Sequence, residues 1–317
     1  MLSASQIHEL LSISTPDLTH RLGVMSKLWS DQETKVSGRF YYVKLRDSKP
    51  TVDDLVNIAH ARMVNFAIPR SRINEAKAAM LGDPNCMDPW VDLVTEARDL
   101  FIKTHEETSR SGELGELLLF MLLEWALKAP IVACKMYLKT SQQMPIHGTD
   151  GVHLGSEDNN LIFYWGESKL HSTLASALSD IATSITEHTS SPDKQKNEVR
   201  IIRSNLNTDD FDPQALSALK NYFNPYKAES NNVIDCYACL AGFDSKIYEK
   251  VEALPHQTSE EEFQKLYEQR IESACKLILK KVKDAGLSNF RFSFFLLPFP
   301  SVEMARAKFQ DRLWGKK

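Results

Sequence analysis

Two carboxylates and one lysine near the middle of the chain have the types and spacing of a catalytic group. Asp150 lies in one short strand-like run, and Glu167 and Lys169 end the next one, at 160–170. Residues i and i+2 of a strand project to the same face, so Glu167 and Lys169 are predicted to point together while Ser168 points away. If the two runs pair as neighbouring strands, Asp150 reaches the same spot.

This grouping of carboxylates predicts a bound cation. Two or three carboxylates at one point repel each other unless a cation neutralises them, and hard oxygen ligands favour Mg²⁺ or Mn²⁺. A third carboxylate is available from a preceding apolar segment, where Glu113 and Glu116 are three positions apart and share one helix face. An ammonium group beside a metal-bound water can orient that water for attack on a phosphorus atom. The residue types therefore predict metal-dependent hydrolysis of a phosphodiester.

The elements that must position these residues follow from hydrophobic periodicity. Helical spacing gives way to short apolar runs separated by Gly, Asn and Asp turns, and then returns. The predicted elements are helix 113–128, strands 131–138, 148–154 and 160–170, helices 172–187 and 213–223, strand 233–241, a helix from a Ser259/Glu262 capping box to near Gly286, strand 292–297 and a basic terminal helix. This order predicts an α/β fold with a mixed sheet flanked by helices.

Residues 1–95 are predicted to form an N-terminal portion, helical with a short strand, and residues 96–317 the α/β domain. The N-terminal portion reads as an extension of uncertain structure. Its predicted features are weak helical signals at 7–11 and 18–29, a strand at 39–45, a helix N-cap at Thr51 and a polar, proline-containing seam at 69–89.

Composition excludes several classes of protein. The 317 residues carry 38 basic and 42 acidic side chains, a net charge of −4, which argues against coating nucleic acid or anionic membrane through bulk charge. The most apolar segment, 117–123, is far shorter than the roughly 20 residues of a membrane span. Five scattered cysteines predict reduced thiols in a cytoplasmic protein. A role with nucleic acid must therefore come from a local site.

The motifs resemble those of the PD-(D/E)XK nuclease superfamily, whose core is a helix, three antiparallel strands, a helix and a strand. The matching residues are Gly115-Glu116 on the helix, Gly148-Thr149-Asp150-Gly151 on the second strand and Gly166-Glu167-Ser168-Lys169 on the third. More narrowly, the segments GELGELLLF, HGTDGVHL and FYWGESKL resemble the HamA family, the nuclease subunits of the Hachiman antiphage defence system. The specific motifs lie between residues 112 and 171, and outside that window only the element order matches.

The resemblance implies roles for individual residues. Asp150 and Glu167 would hold Mg²⁺ or Mn²⁺ together with the Ser168 backbone carbonyl, and Lys169 would position the attacking water. A helix glutamate would complete the site; we prefer Glu116, because Gly115 before it lets the strand backbone approach, and Glu113 stays the alternative. The resemblance also implies a DNA substrate and a helicase partner, HamB. Thr149 stands where the superfamily has proline, a departure that alters the turn more than the metal chemistry.

Other residues that could do chemistry have structural interpretations. His147, His153 and His171 flank the motif, and their scatter favours structural histidines, with contact to a phosphate from His153 or His171 as the alternative. Cys236 and Cys239 are interpreted as buried thiols, because no second pair at zinc-ligand spacing accompanies them. Three acidic residues precede the helix predicted at 213–223, whose positive N-terminal end favours acidic side chains: Asp209, Asp210 and Asp212.

Basic clusters are interpreted as charged helix faces, with contact to DNA phosphates by the C-terminal cluster as the alternative. Their members are Arg70, Arg72 and Lys77, and at the C-terminus Arg306, Lys308, Arg312, Lys316 and Lys317.

The rival to a nuclease is a nuclease-like regulatory or nucleic-acid-binding subunit that does not cleave by itself. The full set of charged residues argues against lost activity, and two-carboxylate glycoside hydrolysis has no use for Lys169. The acidic net charge predicts weak DNA binding by the isolated chain and dependence on a partner.

Overall fold

An eight-stranded mixed sheet organises the part of the chain that the computed structural model describes, residues 18–26, 28–108, 112–133, 150–157, 160–191, 213–222, 224 and 226–315. Its strands are β1 (Leu22–Val24), β2 (Trp29–Asp31), β3 (Val36–Val43), β6 (Ile131–Ala133), β7 (Gly151–Glu157), β8 (Asn160–His171), β9 (Val233–Asp244) and β10 (Arg291–Phe299). A two-residue pair, β4 (Leu45–Arg46) and β5 (Lys49–Pro50), forms a separate ribbon.

The sheet is parallel in the middle and antiparallel toward both ends. The strand order is β1-β3-β10-β9-β8-β7-β6, and β2 also pairs with β3. The pairs β6–β7 and β7–β8 are antiparallel, whereas β8, β9, β10 and β3 are parallel to one another. Strand β8 is apolar on both faces along most of its length, as expected for a parallel strand covered by helices on either side.

Helices cover the sheet and connect its parallel strands. They are α1 (Val52–Ala61), α2 (Met63–Ala67), α3 (Arg70–Gly82), α4 (Asp88–Thr108), α5 (Glu113–Leu127), α6 (Leu174–Thr189), α7 (Pro213–Tyr222), α8 (Ile247–Glu252), α9 (His256–Asp284) and α10 (Val302–Leu313). Short 3₁₀ turns occupy Leu18–His20 and Ala228–Asn232. The predicted mixed sheet flanked by helices, with an N-terminal extension, is confirmed.

Helix α5 is the central buried helix, as its nearly uniform apolar sequence predicts. Its residues from Leu117 to Leu123 are all buried. The helix ends where Lys128 adopts a left-handed conformation with φ of 52°, and Ala129 donates its N–H to the Leu123 carbonyl. The C-terminal end of this helix is therefore set by a left-handed residue.

The N-terminal portion differs from its predicted structure. The helical signal at 18–29 is wrong: Leu22–Val24 is a strand that pairs antiparallel with β3, and Trp29–Asp31 is another. Pairing with an existing strand outweighs a weak local helical preference. The predicted strand is present and begins earlier, at Val36.

One further local prediction is wrong, and the predicted seam contains a helix. The seam predicted at 69–89 contains helix α3, which starts after Pro69 and buries Ile73 and Ala76. The capping box predicted at Ser259 lies inside α9, which begins at His256, and the buried Ser259 hydroxyl donates to the His256 carbonyl. In both cases a helix N-terminus follows a proline rather than a side-chain cap.

The sheet runs through both predicted portions of the chain. The division at residue 95 falls within α4, and β3 of the first portion is parallel to β10 of the second, with Phe292 opposite Val36. Among the described residues, no helix has the length and apolar character needed to cross a bilayer.

Candidate functional site

Strands β7 and β8 approach closely where Asp150 enters the sheet. Gly151 lies opposite Gly166, and the Asp150 N–H donates to the Gly166 carbonyl at 2.7 Å. A Cβ atom on Gly166 would lie 3.3 Å from the Gly151 carbonyl oxygen and 3.2 Å from a methyl group of Leu119. The absence of side chains at this glycine pair therefore lets Asp150 sit beside the end of the β8 motif.

The side chains of the β8 motif alternate between two helices, as predicted. Ser168 faces α5, where a Cβ atom on Gly115 would lie 3.0 Å from the Ser168 Oγ. Glu167 and Lys169 face α6, where Ser184 acts to lower the pKa of Glu167 and Asp180 acts to raise that of Lys169.

Glu167 and Lys169 form a tight, mostly buried ion pair. The Lys169 Nζ lies 2.6 Å from the Glu167 Oε1, and the two side chains are 29% and 6% exposed. Burial, and after it the charge of Asp150, raise the pKa of Glu167 to about 7 against the lowering effect of Lys169. Burial acts to lower the pKa of Lys169, but Glu167 and Asp150 outweigh it, so that pKa is raised.

The Asp150 carboxylate is held by the middle residue of the motif. Its Oδ2 accepts the Ser168 N–H at 2.7 Å and the Ser168 hydroxyl at 2.6 Å. Asp150 also acts electrostatically on both Glu167 and Lys169. Asp150 is bonded to Ser168 and Glu167 is paired with Lys169, and the expectation that the three charged side chains meet around one ion stays a prediction.

The donor set fits a hard divalent cation. Asp150 is bonded to Ser168 next to the Glu167–Lys169 pair, and the pKa of Glu167 is raised first by its own burial and then by the charge of Asp150. A cation between them would remove that repulsion, and carboxylate and backbone carbonyl oxygens are its preferred ligands. Within the described ranges, no three His, Cys, Asp or Glu side chains come together as a metal site. The described geometry thus offers the carboxylate pair, and the helix glutamate remains a prediction.

The two candidate helix glutamates have different surroundings. Glu113 is buried, and its Oε1 lies 3.3 Å from the His105 Nδ1. Its pKa is raised because the effect of burial outweighs the lowering effects of His105 and Arg306. Glu116 is only partly buried in the same first turn, with its Oε1 directed back toward Gly112. Gly115 lies close to β8, which is the reason for preferring Glu116. Glu113, in contrast, is already paired with His105.

The histidines and cysteines divide as the sequence interpretation expected. His153 is a structural histidine: it is 2% exposed, and its Nδ1 lies 2.8 Å from the Ala129 carbonyl, which can only accept. Cys236 and Cys239 are buried free thiols. His171 is different, because it lies at the open end of β8 and pairs with Asp180. His147, Asp209, Asp210 and Asp212 lie outside the described residues.

Most described basic residues of the two clusters have partners within the chain. Arg70 pairs with Glu124 and Arg72 with Glu96. On α10, Lys308 pairs with Asp53 at 2.7 Å, and Arg312 bonds to Asn57. These contacts support charged helix faces, while Lys316 and Lys317 lie outside the described residues.

Sequence reasoning missed two residues that act on the β8 row from another element, and it assigned a third, Arg306, to a charged helix face. Asp180 and Ser184 are one turn apart on α6, and Arg306 of α10 donates to the Leu170 carbonyl at 2.5 Å. The spacing of Asp180 and Ser184 placed them beside the apolar stripe of α6, a signal that could have identified them. Arg306 gave no local signal, because it reaches β8 from a distant part of the chain.

Comparison with known proteins identifies one family. A sequence model of the HamA family matches residues 21–313. This region contains Asp150, Glu167, Lys169 and both helix glutamates. None of the curated proteins compared with the chain matches it.

Proposed function

Since the chain belongs to the HamA family and is thus a subunit of a Hachiman antiphage defence system, we propose that it is the nuclease of that system. The proposed reaction is hydrolysis of DNA phosphodiester bonds by a Mg²⁺- or Mn²⁺-dependent endonuclease of the PD-(D/E)XK type. Such a reaction on intracellular DNA gives the protein a proposed cytoplasmic location.

The gathering of Asp150, Glu167 and Lys169 carries this proposal. A salt bridge of 2.6 Å joins Lys169 to Glu167, and Asp150 is close enough to help raise the pKa of Glu167. Structural ion pairs rarely bring a second carboxylate to a buried carboxylate, because the two charges repel. Strongly perturbed carboxylates of this kind are characteristic of functional sites.

The proposed cation ligands are Asp150, Glu167 and the Ser168 backbone carbonyl, with Glu116 as the third carboxylate. When bound, the divalent cation would supply charge stabilisation at the phosphate and activation of a water molecule. Ser168 fixes the Asp150 carboxylate through its N–H and hydroxyl, so Asp150 is preorganised. This preorganisation is the contribution of the chain to cation binding.

Lys169 is the proposed water-positioning residue. Its ammonium group can donate three hydrogen bonds, of which one is directed to Glu167. Nearly a third of its side chain is exposed, so the remaining donors can reach water and a substrate oxygen. Ser184 and Asp180 on α6 restrain the two members of the pair.

We propose control by the helicase partner HamB. The net charge of −4 and the internal pairing of α10 leave little surface to attract DNA by charge alone. Substrate delivery by a DNA-translocating partner would compensate for this weak intrinsic affinity. The isolated chain is expected to bind duplex DNA weakly at physiological salt.

Cleavage of plasmid and linear DNA tests the proposal. The assay compares Mg²⁺, Mn²⁺ and EDTA, with and without HamB and ATP, and includes Asp150→Asn. We expect metal-dependent cleavage that Asp150→Asn removes. Absence of cleavage by the metal-loaded complex would favour the alternative, a regulatory or nucleic-acid-binding subunit.

Paired substitutions decide which helix glutamate takes part. Glu116→Gln is expected to weaken Mg²⁺ activation of cleavage, so that more Mg²⁺ is needed for half-maximal rate. Glu113→Gln is expected to leave that requirement unchanged, since Glu113 pairs with His105. The opposite pattern would transfer the role to Glu113.

A further inference from the structure

His171 continues the row of functional side chains on β8. Glu167, Lys169 and His171 are separated by two residues each and therefore project from the same face of the strand. Asp180 of α6 interacts with both Lys169 and His171. The three side chains thus form one line that ends where β8 ends.

The row becomes more accessible toward His171. The side chain of Glu167 is 6% exposed, that of Lys169 29% and that of His171 33%. His171 is therefore the member of the row that is most accessible to a molecule in solvent, unlike the enclosed His153.

Asp180 fixes the orientation of the His171 ring. The Nε2 of His171 lies 2.8 Å from the Asp180 Oδ2, so the Asp180 carboxylate lies against this edge of the ring. The other ring nitrogen, Nδ1, lies on the far side of the ring, away from this contact.

We propose that His171, held by Asp180, binds a backbone phosphate of the substrate next to the phosphate that is cleaved. Two strand residues span about 6.6 Å, which is comparable with the spacing of successive phosphates along a nucleic-acid strand. Lys169 and His171 are therefore spaced to address neighbouring phosphates. This subsite rests on the proposed nuclease function for its substrate, and its chemistry is that of a phosphodiester anion.

Two measurements with the full-length chain test the subsite. The first is fluorescence anisotropy of a labelled 20-base-pair duplex in EDTA at low salt and pH 6, where no metal-dependent cleavage occurs. The second is steady-state cleavage of the same duplex with Mg²⁺. The variants are His171→Gln and Asp180→Asn, and the matched control is His256→Gln, an exposed histidine at the start of α9.

Loss of one charge-assisted hydrogen bond predicts about tenfold weaker duplex binding for His171→Gln. Its KM is expected to rise by a similar factor while kcat stays within about twofold. Asp180→Asn should show the same pattern with a smaller loss, and His256→Gln should match the unmodified chain. A merely structural role for His171 would not separate KM from kcat in this way.

The outcomes separate the subsite from the nuclease proposal. Unchanged duplex affinity in His171→Gln would overturn the subsite, and so would a fall in kcat with unchanged KM. If no metal-dependent cleavage occurs but His171→Gln still binds about tenfold more weakly, the phosphate contact stands and the proposed nuclease function fails.

Discussion

Two sets of charged side chains, one on strand β8 and one on helix α10, look similar in the sequence and differ in the structure. On β8, Glu167 and Lys169 pair in a mostly buried place that also receives Asp150. On α10, Lys308 pairs with Asp53 at the surface, where their side chains are 30% and 56% exposed. The first set combines an opposite-charge pair with the additional negative charge of Asp150, and the second set consists of opposite charges alone.

The comparison distinguishes the charged groups of a proposed site from the charged groups of an ordinary protein surface. An exposed pair of opposite charges is screened by water and contributes little. A buried carboxylate is unfavourable by itself and persists only because the surrounding fold holds it. The raised pKa of Glu167 is therefore a property that residue type alone does not reveal, and it supports the proposed site.

The largest expected effect is on cleavage. Lys169→Ala and Glu167→Gln should each reduce metal-dependent cleavage by about 10³-fold, since each removes a group from the proposed site. Lys308→Ala on α10 should stay within about twofold. Thermal unfolding should show that Glu167→Gln is no less stable than the unmodified chain, because it removes a buried charge. Cleavage by both site variants at the normal rate would remove the distinction between the two sets.

His153, the buried histidine of the sheet, is expected to make the stability of the fold depend on pH. Burial lowers the pKa of His153 to about 4 from 6.5, so the unfolded chain binds more protons between these values. His153 thus destabilises the fold increasingly as pH falls from 6.5 to 4, by about 3 kcal/mol at the lower end. His153→Gln retains a donor for the Ala129 carbonyl but does not titrate. Urea unfolding at several pH values should show a shallower loss of stability in this variant; parallel curves would contradict the assignment.

Disturbed packing between α5 and β8 should lower the free energy of unfolding by an amount similar to, or smaller than, the effect of His153. Gly115→Ala places a methyl group 3.0 Å from Ser168 Oγ and 3.3 Å from Leu170. Both neighbours are restrained, Ser168 by its hydrogen bonds to Asp150 and Leu170 by burial. We expect a loss of about 1–3 kcal/mol in the free energy of unfolding, together with reduced cleavage. Gly82→Ala, whose new methyl group would meet nothing within 4 Å, is the control; a stabilised Gly115→Ala would show that β8 can yield.

The smallest expected effect concerns the α10 pair. Asp53→Asn should change the free energy of unfolding by less than about 1 kcal/mol, and added salt should reduce even that difference. Denaturant titrations at two ionic strengths measure it. A larger loss of stability would mean that α10 depends on its ion pairs for its stability, in the way that the charged groups on β8 depend on the surrounding fold.

Local patterns predicted the elements around the site better than those of the N-terminal portion. Helix α5 and strand β8 have long apolar patterns that tertiary contacts reinforce, and their predicted bounds are within two residues. The segment at 18–29 lacks a strong pattern, so pairing with β3 decided its structure. The helix start at Ser259 was misplaced because proline can begin a helix without a side-chain cap.

The sequence by itself determined which face of β8 carries Glu167 and Lys169, because alternation along a strand follows from backbone geometry. It also supplied the glycines at 115, 151 and 166 that permit close approach. Only the tertiary structure decided that Asp150 reaches this pair, that α6 contributes Asp180 and Ser184, and that α10 reaches the backbone of Leu170. Such contacts join residues far apart in the chain, and they depend on packing and electrostatics that no local pattern records.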